Sequence, residues 1–370
     1  MRSSDVRIPA LGVGLLTVAV ASLFAMTHLA RNEMNPTIFI AIGEDDVAIR
    51  QYAERRLDEV VLRPELGHDG RFFFVQANDP WLLDPKEHAE ILDRPVYRTQ
   101  RMGYPVLSSI GGILPPEGVV WGMLAVNVLA LGLGAYVCSI LAVNSGGSSW
   151  WGVIFPLNVG LMSEFSIGGG GIVAASLAFA AVMALKQDRV VFASLLFAFS
   201  SLSREVMLIG VAGAAFWLFA NGRRKDAVRI AFPSLFAVAG WAMYIRWVLP
   251  EGAKVIELGL PFVGLVENFD HWLADPFEFL VGSVVVLLLA FYGYRALKTP
   301  SLTAWTFLPF AVLGFFLAEP VWNGYFNVTR AVAPILTAYF LITFAPSAEH
   351  QANLERSNPL RKLINSQRSS

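Results

Sequence analysis

Residues 118–143 read GVVWGMLAVNVLALGLGAYVCSILAV and carry no charged side chain. A helix needs about 20 apolar residues to cross a hydrocarbon core roughly 30 Å thick. Lipid offers no partners for free backbone N–H and C=O groups, so a run of this kind must be helical. Comparable apolar segments lie at 8–30, 149–165, 170–185, 190–203, 205–220, 229–249, 277–296, 302–318 and 328–345. The expected fold is therefore an all-α polytopic membrane protein of about ten transmembrane helices.

Composition agrees with this. The 370 residues are 55% hydrophobic and 15% charged, where a soluble domain carries about 25% charged residues. Mean hydropathy is +0.54. These values exclude a disordered chain and argue against a soluble enzyme. One cysteine, Cys138, excludes a disulfide scaffold, and its place inside an apolar run makes it a small buried hydrophobe. The net charge of −1 gives no footing for nucleic acid. The run Ile8–Ala30 follows Arg2 and Arg7 but ends in no small-x-small cleavage site, so it reads as an uncleaved first span.

Basic residues in short loops set the orientation. With the N-terminus inside, Arg2, Arg7, Lys186, Arg189, Arg223, Arg224, Lys225, Arg229, Arg295, Lys298, Arg356, Arg361, Lys362 and Arg368 are cytoplasmic. Only Arg204, Arg246, Lys254 and Arg330 fall in short outer loops. The expectation is N-in and C-in, in a bacterial inner membrane. One transmembrane domain covers 1–345, and a basic cytoplasmic tail covers 346–370. Residues 31–103 form a long outer loop holding 14 of the 29 acidic residues. Within it, Asp45–Val61 reads as an amphipathic helix lying on the membrane surface, and the aromatic stretch Phe72–Leu83 as interfacial. A second outer loop, 250–275, carries Phe262, Phe269 and Trp272. No fixed-period repeat and no inverted repeat is visible.

The stretch GHDGRFFFVQANDP, 67–80, sets Asp69 between glycines ahead of an aromatic run. A carboxylate held at a membrane face suits a general base for a lipid-linked substrate, and it equally suits a solvated Asp-Gly turn. In LDRPVYRTQRMGYP, 92–105, Arg98 and Arg101 are three apart and share a face if helical. Their guanidinium forks suit phosphate, and they suit interfacial snorkelling as well. Arg204 and Glu205 lie between two apolar runs, where an ionisable pair is either functional or a hairpin tip. Arg330 opens the last span on the outer side, as a phosphate ligand or an interfacial anchor. Glu164, ahead of the run Gly168–Gly171, and Glu319 read as structural. Asp69, Arg98, Arg101, Arg204, Glu205 and Arg330 thus collect at one face, where a basic pocket beside an acidic loop suits a lipid phosphate. His68, beside Asp69, keeps a divalent metal open, but the five histidines show no metal-ligand spacing and no cofactor is expected. Phosphate-loop, dinucleotide and nucleophile-elbow motifs are absent. The Asn-Val-Thr sequon at Asn327 abuts a span.

In their order, GHDGRFFFVQANDP, LDRPVYRTQRMGYP, LSREVML (202–208) and a late outer arginine resemble bacterial membrane proteins related to the GT-C glycosyltransferase superfamily. Relatives carry G-[HY]-D-G-Q-[FY]-[FY] followed by A-x-D-P, then P-x-Y-R-x-Q-R-x-x-Y-P, then R-E-T-x-L-L. This chain departs at Arg71, where Gln is usual, and at Val206, where Thr is usual. The resemblance spans about 8–345 and implies inverting transfer of a sugar from a polyprenyl-phosphate donor at the outer face. The acceptor would be a glycan, lipid or protein. Asp69 maps to the base, with Asp45 and Asp46 as alternatives. Arg101 and Arg204 map to phosphate ligands, Arg98 and Arg330 support them, and Glu205, His68 and Tyr104 stand beside them. With no large polar segment after residue 345, an oligosaccharyltransferase-like enzyme is not expected. Two rival readings stand beside this one: a lipid-linked sugar translocator or binder without catalysis, and a secondary transporter.

Overall fold

The computed structural model describes residues 3–64, 66–114, 117–250 and 258–343, the side chains of 3–7 excepted. Arg2, Lys254 and the basic tail expected over 346–370 lie outside the described residues, as does the side chain of Arg7. Among the described residues there is no strand; two isolated bridges pair Gly43 with Arg63 and Leu258 with Leu317. The helices are α1 (Ser3–Ala30), α2 (Val47–Glu54), α3 (Gly70–Asn78), α4 (Pro85–Ile91), α5 (Pro95–Thr99), α6 (Gly103–Ser108) and α7 (Gly118–Asn144). There follow α8 (Val159–Ser166), α9 (Gly171–Lys186), α10 (Val190–Ser203), α11 (Met207–Ala220) and α12 (Arg224–Val248). The last are α13 (Val263–Glu267), α14 (Phe269–Ala274), α15 (Pro276–Lys298), α16 (Leu302–Gly314), α17 (Glu319–Trp322), α18 (Tyr325–Ala331) and α19 (Ala333–Thr343).

Among the described residues four helices, α1, α7, α12 and α15, are long and apolar enough to cross a membrane, and α18 with α19 makes a fifth if the bent pair is one span. The central one is α7, with 72% of its most apolar window buried; α12 and α15 stand at the periphery, at 17% and 22%. Around α7 pack α1, α9 and the 3-10 turn Ser149–Ile154. Beyond them α10 lies between α9 and α12, and α11, α16, α15 and α19 close the bundle. Helices α9, α10, α11 and α16 have 13 to 16 residues, about 20–24 Å of rise.

Several sequence expectations are changed by local chemistry. The segment 149–165 is not one helix: Pro156 falls in a turn, and Asn158 caps a new helix by accepting from Gly160 N–H at 3.1 Å. The last span bends by 55° between α18 and α19, where Pro334 removes a backbone donor. The amphipathic helix expected over 45–61 ends at Glu54, and its Ile49, Tyr52 and Ala53 are buried in protein. Arg56 folds over the Tyr52 ring at 3.7 Å and pairs with Glu87, while Val61 N–H donates to Thr37 Oγ1 at 2.8 Å. The aromatic run expected at the lipid surface is buried as well. Phe72, Phe73 and Phe74 are each under 5% exposed and pack into the main core, with Phe73 edge-on to Tyr104 and Phe74 edge-on to Tyr52. Trp81 and Leu83, past the end of α3, are the large apolar members of that stretch that stay exposed.

Residues 31–103 therefore lie on the bundle as part of it. Arg63 donates to Ile38 O and, at 2.9 Å, to Ser166 O at the end of α8. Tyr104 donates to Met123 O of α7 at 3.1 Å. Asn127, an amide inside the apolar α7, donates to Tyr104 Oη at 3.0 Å and to Gly169 O at 3.1 Å, joining three segments.

Helix α8 meets α18 at Gly160, where a Cβ would come 2.1 Å from Thr329 O. Gly160→Ala is expected to cost about 1–3 kcal/mol by pushing α18 off α8. Thermal unfolding in detergent micelles should show a lowered Tm for this variant. Gly12→Ala, inside α1 and with a Cβ that meets nothing within 4 Å, should not lower it.

Candidate functional site

Asp69 precedes α3 with its backbone already in helical geometry, and its carbonyl accepts from Phe72 and Phe73 N–H. The flanking glycines serve close approach. A Cβ on Gly70 would lie 2.1 Å from Ile167 O, and one on Gly67 would lie 2.1 Å from Ala41 O. Because its side chain caps no backbone N–H of α3, the carboxylate is available to arginines. Arg330, on α18, donates to it through Nη2, and Arg98 Nη1 lies 3.5 Å away.

Arg330 also donates through Nε to Glu164 Oε1 at 2.9 Å. Arg204 Nη1 reaches the same oxygen at 3.1 Å and Arg330 O at 3.2 Å. Glu164 is 2% exposed. Its other oxygen accepts from Gly171 N–H at 3.2 Å, and a Cβ on Gly169 would lie 1.8 Å from it. The run Gly168–Gly171, whose Gly168 has φ +63°, is thus a turn wrapped around one carboxylate.

The consecutive residues Arg204 and Glu205 sit in the break between α10 and α11 and diverge. Arg204 goes to Glu164, and Glu205 takes a two-bond fork from Arg101, at 2.9 and 3.0 Å. They are therefore not a hairpin-tip pair. Arg101 reaches that far because Gly103 packs on the end of α10, where a Cβ would lie 2.4 Å from Ser203 Oγ. Arg98 makes its own fork with Asp93, at 3.0 and 3.1 Å, and lies over the Phe72 ring at 3.7 Å. Gln76 Nε2 donates to Arg98 O at 2.5 Å, which holds that backbone in place.

The cluster therefore joins Asp69, Arg98, Arg101, Arg204, Glu205 and Arg330, the six residues expected to collect at one face, and adds Glu164. Sequence reasoning set Glu164 aside as structural; the signal that could have found it was an acid just ahead of four glycines. Asn127 was passed over, although an amide in an uncharged bilayer-length run was a visible signal. Asp45 is exposed and stands apart from the cluster. Asp46 is bound to Arg71 and accepts from Gly43 and Gly67 N–H, so it staples the loop. Tyr104 lies beneath the site, fully buried and hydrogen-bonded. His68 is at the edge, its ring 5.3 Å from that of Phe326. Glu319 starts α17 and accepts from Asn323. The exposed Asn327 donates to backbone carbonyls nearby. Among the described residues no three of His, Cys, Asp and Glu converge as a metal site would require.

Burial alone would raise the Asp69 pKa, but the guanidiniums of Arg330, Arg101 and Arg98 outweigh it and hold the carboxyl well below the usual carboxylate range. For Asp93 burial is likewise outweighed, here by the Arg98 fork and by Arg94. His68 is lowered by burial and by Arg63 and Arg330, which favours its neutral form. Four arginines against Asp69, Glu164 and Glu205 leave a positive excess in a place largely removed from water. Asp93, at the rim, balances it only where solvent screens. Two small clefts open on the cluster, each with room for about one water molecule.

Comparison with known proteins returns no match, whether to family models, to curated proteins or to solved structures. The chemistry of the cluster is left to speak for the site. It can hold an anion with preset guanidinium donors, and it keeps one carboxylate within reach of that anion.

Glu164→Gln leaves Arg204 and Arg330 short of a charge, which should destabilise the fold by about 3–5 kcal/mol; a large drop in Tm in micelles would show it. Asp69 binds its proton more weakly folded than unfolded. Its contribution is present above the unfolded carboxylate pKa near 4 and is lost as pH falls toward the folded value. The Tm of the wild type should therefore fall more steeply from pH 5 to pH 3 than that of Asp69→Asn.

Proposed function

We propose that the protein is an integral membrane glycosyltransferase of GT-C type, taking sugar from a polyprenyl-phosphate donor. The single observation that carries this reading is the gathering of Arg98, Arg101, Arg204 and Arg330 around Asp69 from three separate segments. In this reading ten apolar segments make ten passes, the shorter and broken helices pairing with neighbours to complete their crossing. The N- and C-termini are cytoplasmic, residues 31–103 face outward, and the enzyme sits in a bacterial inner membrane with its site toward the periplasm.

The reaction follows from the side chains. An acceptor hydroxyl approaches sugar C1 opposite the lipid phosphate. The new C1–O bond forms as the bond from C1 to the phosphate oxygen breaks, which inverts the anomeric centre. The hydroxyl proton passes to Asp69, and the electron pair of the broken bond leaves with the polyprenyl phosphate. Arg204, Arg330 and Arg101 stabilise the charge that grows on that phosphate. Phe72 and Tyr97 line the second cleft with Arg98, and the sugar or acceptor would enter beside them.

One observation favours a second reading. Asp69 is tied to two arginines, as it would be in a protein that binds a lipid-linked sugar without transferring it.

Turnover by purified protein separates the two. Polyprenyl-phosphate pentoses and hexoses are supplied, and release of free polyprenyl phosphate is measured. Asp69→Asn should lower turnover by about 10²–10⁴-fold, and Arg204→Gln by about 10²–10³-fold. Binding without release, insensitive to Asp69→Asn, would establish the binder instead.

A further inference from the structure

Asp69 stands between the two clefts. One is lined by Glu164, Arg204 and Arg330, the other by Phe72, Tyr97 and Arg98; Asp69, Phe73 and Arg101 line both. The Asp69 carboxylate is thus part of the wall dividing them. It is also an anion already seated on the arginines, with one oxygen on Arg330 and the other toward Arg98.

The two acids that share Arg330 are held very differently. Glu164 accepts from two arginines and a backbone N–H and is enclosed by glycines. Asp69 is held by arginines alone and makes no capping bond to α3. A phosphate oxygen competes with a carboxylate oxygen for the same guanidinium N–H groups. Of the two acids, Asp69 is the one an incoming anion can displace.

We propose that Asp69 is the internal occupant of an anion seat, displaced from Arg330 and Arg98 by a phosphate or pyrophosphate ester, and that its displacement joins the two clefts. This rests on the reading of the cluster as a phosphate site. It adds an order of events: the carboxylate is released toward the Phe72–Tyr97 cleft only once the phosphate is in place. Freed of its arginines in a largely buried position, that carboxylate regains proton affinity when a base is needed.

The test is calorimetric titration of the purified full chain in micelles with two probes, inorganic pyrophosphate and a short-chain prenyl phosphate. Asp69→Asn should bind roughly tenfold tighter than wild type, because no internal carboxylate has to leave and the arginines regain a partner. Tightening with both probes assigns the seat to the phosphate group itself; tightening with the prenyl phosphate alone assigns it to a lipid headgroup. Asp69→Asn can fail to fold, so the comparison is repeated between Arg98→Gln and Asp69→Asn/Arg98→Gln, the double variant keeping the wild-type net charge. The double variant should bind tighter than Arg98→Gln. Equal or weaker binding in both comparisons overturns the proposal. Transfer is read separately. Tighter binding with no turnover by the wild type keeps the displaced acid and removes the transferase, while unchanged binding with turnover lost in Asp69→Asn keeps the base and removes the gate.

Discussion

A buried charge must be compensated where it sits, and in this protein that requirement centres on Glu164. Its carboxylate is almost entirely out of water and is bonded to Arg204, Arg330 and the N–H of Gly171. Removing one member of such a group leaves the others unpaired in apolar surroundings, which costs far more than a surface pair is worth. Four parts of the chain are therefore held together at one point: α8, the start of α9, the break between α10 and α11, and α18. Through Arg330 and Asp69 the same network draws residues 31–103 down onto the bundle.

The backbone is shaped to let these charges meet. Glycines stand wherever two segments must approach closer than a Cβ allows: Gly70 against Ile167, Gly103 against Ser203, Gly160 against Thr329, and Gly169 and Gly171 against Glu164 itself. Each lies at a junction that carries a charged member of the cluster. The buried Phe72 and Phe73 line the clefts beside Asp69, so the carboxylate stands next to the apolar core. Rigid support with a charged lining is the arrangement an anion site needs, because its donors are already oriented before a ligand arrives.

Much of the fold was legible in order. Each of the ten apolar segments contains helix, since runs such as 118–143 have no other way to satisfy their backbone. The breaks at Pro156 and at Pro334 carried a visible signal, proline inside an apolar run. The placement of Phe72–Phe74 did not. An aromatic run next to spans reads equally well as lipid-facing or core-facing, and only the presence of Tyr104 and Tyr52 on neighbouring segments decides for the core. The amphipathic pattern of 45–61 misled for the same reason: an apolar face needs a partner, and periodicity does not say whether that partner is lipid or protein.

The sequence by itself determined the helical class, the positions of the apolar runs and the set of charged residues stationed near their ends. Those follow from backbone satisfaction and local composition, which act over a few turns. Only the tertiary structure decided the pairing. Arg101 meets Glu205 across 104 positions, Arg330 meets Glu164 across 166, and Arg330 meets Asp69 across 261. Charge has no periodicity that marks its partner at such distances. Which acid is locked in a glycine seat, and which is held by arginines alone, is set by helix packing that brings the glycine turn and α18 together.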